Sequence, residues 1–208
     1  LREKVWRYSP DLVVLLMTTS NDITDNSRMF RQNPIPFFEY RGDVLMLDNS
    51  FRNNKKFIFQ NSSVGRLSIW LKNHLRFVQA IGEIHLAIKH RYPKLKAQEP
   101  IDAQANTLPA ASVPIAEVGI DSQVYRTPVN SDWKAAWSIT EGIIGLMNEE
   151  VEKNGAKFLV ISGSNGVQVL PNIKDRERFA EMLGVDDLYY PDKRIADFCR
   201  TNSIPVIT

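Results

Sequence analysis

Apolar residues in this chain fall into short unbroken runs and longer periodic ones. Leu12 to Met17 is a continuous apolar run, the pattern of a strand covered on both faces. Phe158 to Ile161 and Ile204 to Ile207 are two more short runs of this kind. Between 63 and 91, Val64, Leu67, Leu71, His74, Val78, Ile81, His85 and Ile88 recur at steps of three and four, which predicts one long amphipathic helix with Pro93 just past its end. A second strong periodicity over 132–153 puts Trp133, Ala136, Trp137, Thr140, Ile143, Ile144, Met147 and Val151 on a buried face, closed by Asn154-Gly155. Shorter helices are predicted over 173–183, ending at Gly184, and over 191–201, with Pro191 in the first turn. Helices separating the later strands predict parallel pairing through βαβ units.

The remaining segments complete the outline. Residues 1–9 read as the tail of a helix with Val5 and Trp6 packing, ended by Ser9-Pro10-Asp11. Residues 36–40 and 44–48 flank Arg41-Gly42-Asp43 as a hairpin. Residues 19–34 and 49–60 read as polar loops. The span 94–130, with its four prolines, reads as a long mobile loop or lid. The expectation is a single α/β domain over 1–208 with an insertion over 35–130. Its sheet is expected to be cut at both ends, as in an internal piece of a longer protein with a further strand upstream.

Composition changes this picture little. The chain has 43% hydrophobic and 24% charged residues, an ordinary globular balance. No apolar run reaches the roughly 20 residues that cross a bilayer, so no membrane segment is expected. A net charge of +2 over the whole chain argues for neither nucleic acid nor an anionic surface as partner. The lone Cys199 excludes an internal disulfide and a cysteine metal site. Nothing in the sequence assigns a compartment.

Candidate chemistry gathers where the first strand ends. Thr18, Thr19, Ser20, Asn21 and Asp22 follow Met17 directly, and ligands in open parallel sheets sit beyond the carboxyl ends of strands. The run Pro10-Asp11-Leu12-Val13-Val14-Leu15-Leu16 with Thr19-Ser20-Asn21-Asp22 resembles the third conserved block of the SGNH (GDSL-type) hydrolases. Lys157 to Ile161, Gly184 to Asp192 and Ile204 to Ile207 are similar to the later part of one branch of that family, so the resemblance covers about half the chain. It implies a three-layer, flavodoxin-like parallel sheet and a serine esterase acting on O-acyl esters of a carbohydrate or lipid, with no cofactor. It puts Asn21 in the oxyanion hole; Ser20 and Asp22, by their place at the strand end, and Ser164, in the loop after the strand at 158–161, are expected to line the substrate site. The family's Gly-Asp-Ser and Asp-x-x-His blocks have no counterpart in these residues. The chain by itself is therefore expected to be inactive. Thr19-Ser20 also stand where the family usually carries a glycine.

Other readings compete. An Asn in a loop often closes a turn through its own backbone. Asp22 is expected either to orient Asn21 or to cap the turn that follows. Ser162-Gly163-Ser164-Asn165-Gly166 nearly fits a nucleophile elbow centred on Ser164, but the first glycine is missing and no periodic helix follows at once; a loop lining a cleft fits better. His74 and His85 lie on one helical stripe about 16 Å apart along the axis, so they read as core or interface residues. His90, between Lys89 and Arg91, reads as solvated surface. The acidic groups Glu149-Glu150-Glu152 and Asp186-Asp187 lack histidine partners, and no metal site is expected. A non-catalytic binding or scaffold module with the same sheet is the alternative function, slightly favoured by Thr19-Ser20. A nucleotide-binding domain ranks last, because no glycine-rich phosphate loop is present.

Overall fold

The computed structural model describes residues 1–2, 4–31, 33–75 and 121–208. It divides into two compact units, residues 1–48 with 114–208 and residues 49–113. The expected helical residues 76–91, with His85 and His90, and the loop residues 94–120 lie outside the described residues.

The first unit is mixed α/β, built on a parallel sheet of β1 (Leu12–Thr18), β4 (Lys157–Gly163) and β5 (Val206–Ile207) in the order β1-β4-β5. Register runs from Leu12 opposite Lys157 to Thr18 opposite Gly163, and Val160 and Ile161 face Val206 and Ile207. The links between these strands contain α4 (Ser131–Lys153), then α5 (Ile173–Leu183) and α6 (Tyr190–Thr201).

Helix α4 follows its periodicity closely. Trp133, Ala136, Trp137, Thr140, Ile144 and Val151 are buried, and the Asn130 side chain caps the start by accepting the Trp133 N–H at 2.8 Å. Gly155, at φ +76°, turns the chain into β4. Helices α4 and α6 bury one face of the sheet, where Val13, Met17, Phe158, Val160, Trp137, Ile195 and Cys199 form one core.

The other face of β1 is open. Leu12 is 50%, Val14 47% and Leu16 67% exposed, which corrects the expectation of a strand covered on both faces. The cause is topological. Parallel connections are right-handed, and both here step in the same direction across the sheet, so α4 and α6 fall on the same side. The described residues are thus mixed α/β with a parallel three-stranded sheet and its helices on one face, a coarser arrangement than the three-layer fold that the family resemblance implies.

The hairpin β2 (Phe37–Arg41) and β3 (Val44–Asp48) forms with Gly42 at φ +62° in its two-residue turn. It belongs to the sheet unit and lies over α4. A Cβ added at Gly142 would stand 2.5 Å from Tyr40 Oη and 2.9 Å from Leu45 Cδ2. Two segments expected to be loops contain helix. Residues 19–34 contain α1 (Asp22–Asp25), and residues 121–130 contain a 3-10 turn, Ser122–Tyr125, whose Val124 and Tyr125 are fully buried in the core. Val5 and Trp6 pack on that core as expected, from a 3-10 turn (Val5–Tyr8).

In the second unit, a 3-10 turn (Ser50–Asn53) and α2 (Lys55–Asn61) replace the expected loop, and α3 is Ser63–His74. Leu75 is already extended, so the helix expected over 63–91 stops at His74. The described start of the apolar stripe is open, with Val64 67% and Leu67 56% exposed. His74 is exposed too, stacked on Trp70 at 4.7 Å with Nδ1 2.9 Å from the Trp70 carbonyl, which removes the core alternative of its reading as a core or interface residue.

Candidate functional site at the strand tips

Strand β1 delivers Thr18 to Asp22 to the carboxyl end of the sheet, and each side chain is held differently. Asp22 Oδ2 accepts the Thr18 backbone N–H at 2.6 Å, tying the first residue of α1 back to the end of the strand. That bond, rather than a contact with Asn21 or a cap on the next turn, occupies the carboxylate. Burial pushes the Asp22 carboxyl above its usual range; the Thr18 N–H opposes this and the nearby Asp25 charge adds to it. Thr19 is fully buried and its Oγ1 accepts from Asn165 Nδ2 at 3.3 Å, across from the β4 loop. Ser20 is buried, with its hydroxyl 3.4 Å from Asn21 Oδ1.

Asn21 sits at the N-cap of α1, yet its side chain makes no capping bond. The backbone does the fixing: the Asn21 carbonyl accepts from Asp25 N at 2.7 Å and from Thr24 Oγ1 at 2.9 Å. The half-buried carboxamide is left with two long contacts. One is the Ser20 hydroxyl. The other is donated by Nδ2 to Asp25 Oδ2 at 3.4 Å, beyond the usual N–H···O range. Asp25 is itself paired with Arg31.

Beside this, the β4 tip carries a dense buried network that the sequence reading missed. Ser162, in register with Met17, donates its hydroxyl to Asp192 in the first turn of α6. Gln168 Nε2 donates to Asp192 Oδ2 and, at 2.8 Å, to the Leu188 carbonyl; its Oε1 accepts the Asn165 N–H at 2.6 Å. Among the described residues the buried Asn165 Oδ1 has no hydrogen-bond partner. A faint signal was present: Asn and Gln three residues apart after a strand is a reciprocal turn pattern, and Asp just after Pro191 suits a helix N-terminus.

Ser164 is exposed on this loop, and a 3-10 turn (Gly166–Val169) follows it rather than a helix. No nucleophile elbow is built there. Asn21, Ser20 and Asp22 therefore cluster at one tip, and Thr19 joins them to the loop that carries Ser164.

The first halves of α4 and α6 meet at the same end of the sheet. Arg194 grips Glu141 with Nε at 2.6 Å and Nη2 at 3.3 Å, donates Nη1 to Tyr190 Oη at 3.0 Å and lies 4.6 Å over the Trp137 ring. Burial works against its charge, but the bonds to Glu141 and Tyr190 outweigh it and raise the guanidinium pKa. A separate open cleft of about 460 Å³ lies between the 3-10 turn at 122–125 and the ends of α5 and α6, lined by Tyr125, Arg126, Asp186, Asp187 and Lys193 among others. None of Ser20, Asn21, Asp22 and Ser164 lines it. Lys193 donates to Asp187 there, and Arg126 donates Nη2 to the Leu183 carbonyl while its buried Nε has no partner among the described residues.

The described side chains of the tip are amides, hydroxyls and the carboxylates Asp22 and Asp25. The three histidines of the chain are at 74, 85 and 90, all outside the sequence of the sheet unit. Among the described residues no group of three or more His, Cys, Asp or Glu is arranged to hold a metal ion. Compared with protein-family models, with curated proteins and with solved structures, the chain matches none.

Proposed function

We propose that this chain supplies the oxyanion-binding side of an SGNH-type hydrolase acting on O-acyl esters of a carbohydrate or lipid, with Asn21 as the side-chain donor. The observation that carries this reading is the state of the Asn21 carboxamide. It is half-buried at the tip of β1 on a hydrogen-bonded backbone, and among the described residues its N–H groups are engaged only at 3.4 Å. Attack on an ester puts charge on the carbonyl oxygen. A fixed neutral N–H aimed there lowers the barrier by about 2.7–4 kcal/mol. An amide donates at every working pH, because it does not titrate there.

The attacking hydroxyl and its base must come from outside the tip described above. The edge of β1 away from β4 carries no strand among the described residues, so a strand paired there would end beside Asn21. By resemblance that strand would bring the nucleophilic Ser, and an Asp-His pair would activate it. Ser20, Asp22 and Ser164 would then border the bound ester, and no cofactor takes part.

One observation favours the second reading, a binding module without chemistry. The Asp22 and Asp25 carboxylates flank Asn21 and oppose negative charge on a bound oxygen, although the Arg31 pair offsets Asp25. Turnover of p-nitrophenyl acetate by the longest natural protein containing these residues decides between the two. Asn21→Ala should lower kcat about a hundredfold while the protein stays folded. Equal turnover by the variant removes Asn21 from the chemistry, and no hydrolysis of any acyl ester by the natural protein leaves the binding module.

A further inference from the structure

The overall charge of +2 hides a sharp asymmetry. Residues 49–75 contain Arg52, Lys55, Lys56, Arg66 and Lys72 and no acidic residue, which leaves 21 basic against 24 acidic residues elsewhere. The same stretch forms α2 and α3, joined at a tight corner where a Cβ at Gly65 would stand 1.9 Å from the Phe59 carbonyl oxygen.

Packing consumes little of its apolar surface. Gly65 alone is buried among the described residues of α2 and α3. Val64, Leu67 and Leu71 fall on one face of α3 by helical spacing, with Trp70 and His74 beside them. Trp70 is 52% exposed and, at the corner, Ile58 and Phe59 are 55% and 56% exposed. Arg52, Lys55, Lys56 and Arg66 are exposed and have no ion pair among the described residues.

We propose that the α2–α3 corner is a peripheral docking surface for an anionic phospholipid bilayer. An interfacial helix combines a broad apolar face carrying Trp, Phe and Leu with Lys and Arg and little negative charge. Aliphatic groups such as Leu67 and Ile58 gain by entering the acyl boundary, whereas a nucleic acid offers them nothing comparable. The basic residues match acidic headgroups, each strengthening binding about fivefold. No described helix is long and apolar enough to cross a membrane, so attachment would lie in the plane of the surface. This inference does not rest on the chemistry at Asn21.

The test is sedimentation of the full chain with phosphatidylcholine vesicles, with or without 30% phosphatidylglycerol. Partitioning should appear only with the anionic lipid and weaken in high salt. Lys55→Glu with Lys56→Glu should lower it more than tenfold, and Leu67→Ala with Trp70→Ala about tenfold. Brominated lipid provides a second readout on the unmutated chain. Trp133 and Trp137 are buried and Trp6 is half-buried, so quenching should come from Trp70 and vanish in Trp70→Phe. Equal or absent binding to the two vesicles, unquenched fluorescence, or binding to a DNA duplex but not to lipid overturns the proposal.

Discussion

Asp192 is where this fold concentrates buried polarity, so Asp192→Ala is the most informative single change for stability. The carboxylate accepts from Ser162 Oγ and from Gln168 Nε2, and those two residues are 8% and 2% exposed. Truncation leaves a hydroxyl and an amide N–H buried without an acceptor, at about 1–3 kcal/mol each. It also removes a negative charge from the first turn of α6, worth about 0.3–1 kcal/mol. Recovered hydration of the lost carboxylate returns part of this. The net loss expected is about 3 kcal/mol, or roughly 6–12 °C in Tm at about 2–4 °C per kcal/mol for a unit of this size. Near-UV circular dichroism during heating reads it directly. A double-mutant cycle with Ser162→Ala isolates the shared bond, because the serine change removes one of the two stranded groups. The pair should cost at least about 1 kcal/mol less than the sum of the single changes. A Tm shift below about 2 °C for Asp192→Ala, or strict additivity in the cycle, would refute the network as a structural anchor.

Three further outcomes follow from single contacts. Cys199 is fully buried and burial pushes its thiol up to about 11, with Arg200 pulling weakly the other way, so a disulfide reagent at pH 8 should label it only as fast as the protein opens; immediate labelling would show that the α6 side of the core is loose. The folded carboxyl of Asp22 sits above its unfolded value, so the folded state holds that proton more tightly, and this contribution to stability is present at low pH and lost as pH rises through the folded pKa. Asp22→Asn keeps an oxygen for the Thr18 N–H and should match or exceed the parent in urea at pH 7, with the advantage gone at pH 3; a clear loss at pH 7 would mean that the ionised carboxylate is required. Gly142→Leu should drive Tyr40 and Leu45 off α4, costing about 1–3 kcal/mol by overpacking, and unchanged stability would show that the hairpin is not seated there.

The sequence revealed most where periodicity was long. Helix α4 could be read nearly residue by residue because its 23 positions repeat the 3.6-residue period many times. Helix α5 was bounded by a side-chain cap at Asn172 and by Gly184 at φ +65°, both local signals. Four residues, Asp22–Asp25, give no period to read, so α1 passed for loop. The stripe at 64–74 was a true helical pattern, but periodicity marks an apolar face without saying what it meets. At the strand tips, the polar run after Met17 was legible as the carboxyl end of β1, while a role for Asn21 came only from family resemblance. The network of Asn165, Gln168 and Asp192, which Thr19 joins, is assembled by the register of β1 on β4 and the entry of α6, which no local pattern encodes.

The open face of β1 and the position of the candidate site share one cause. An unbroken apolar run does not say how many faces are covered; the winding of the chain decides that. Because β1, β4 and β5 are added in one direction with right-handed links, α4 and α6 share a face and both start at the carboxyl end of the sheet. That winding leaves Leu12, Val14 and Leu16 uncovered. It also brings Asp192 and Arg194 on α6, and Trp137 and Glu141 on α4, to the end where Asn21 stands. A helix over the open face would need a crossover in the opposite direction, hence a strand on the free edge of β1. That edge is also where the proposed reading needs a nucleophile, so a strand there and the helix of its crossover would together meet both requirements, the helix over Leu16 and the strand end beside Asn21.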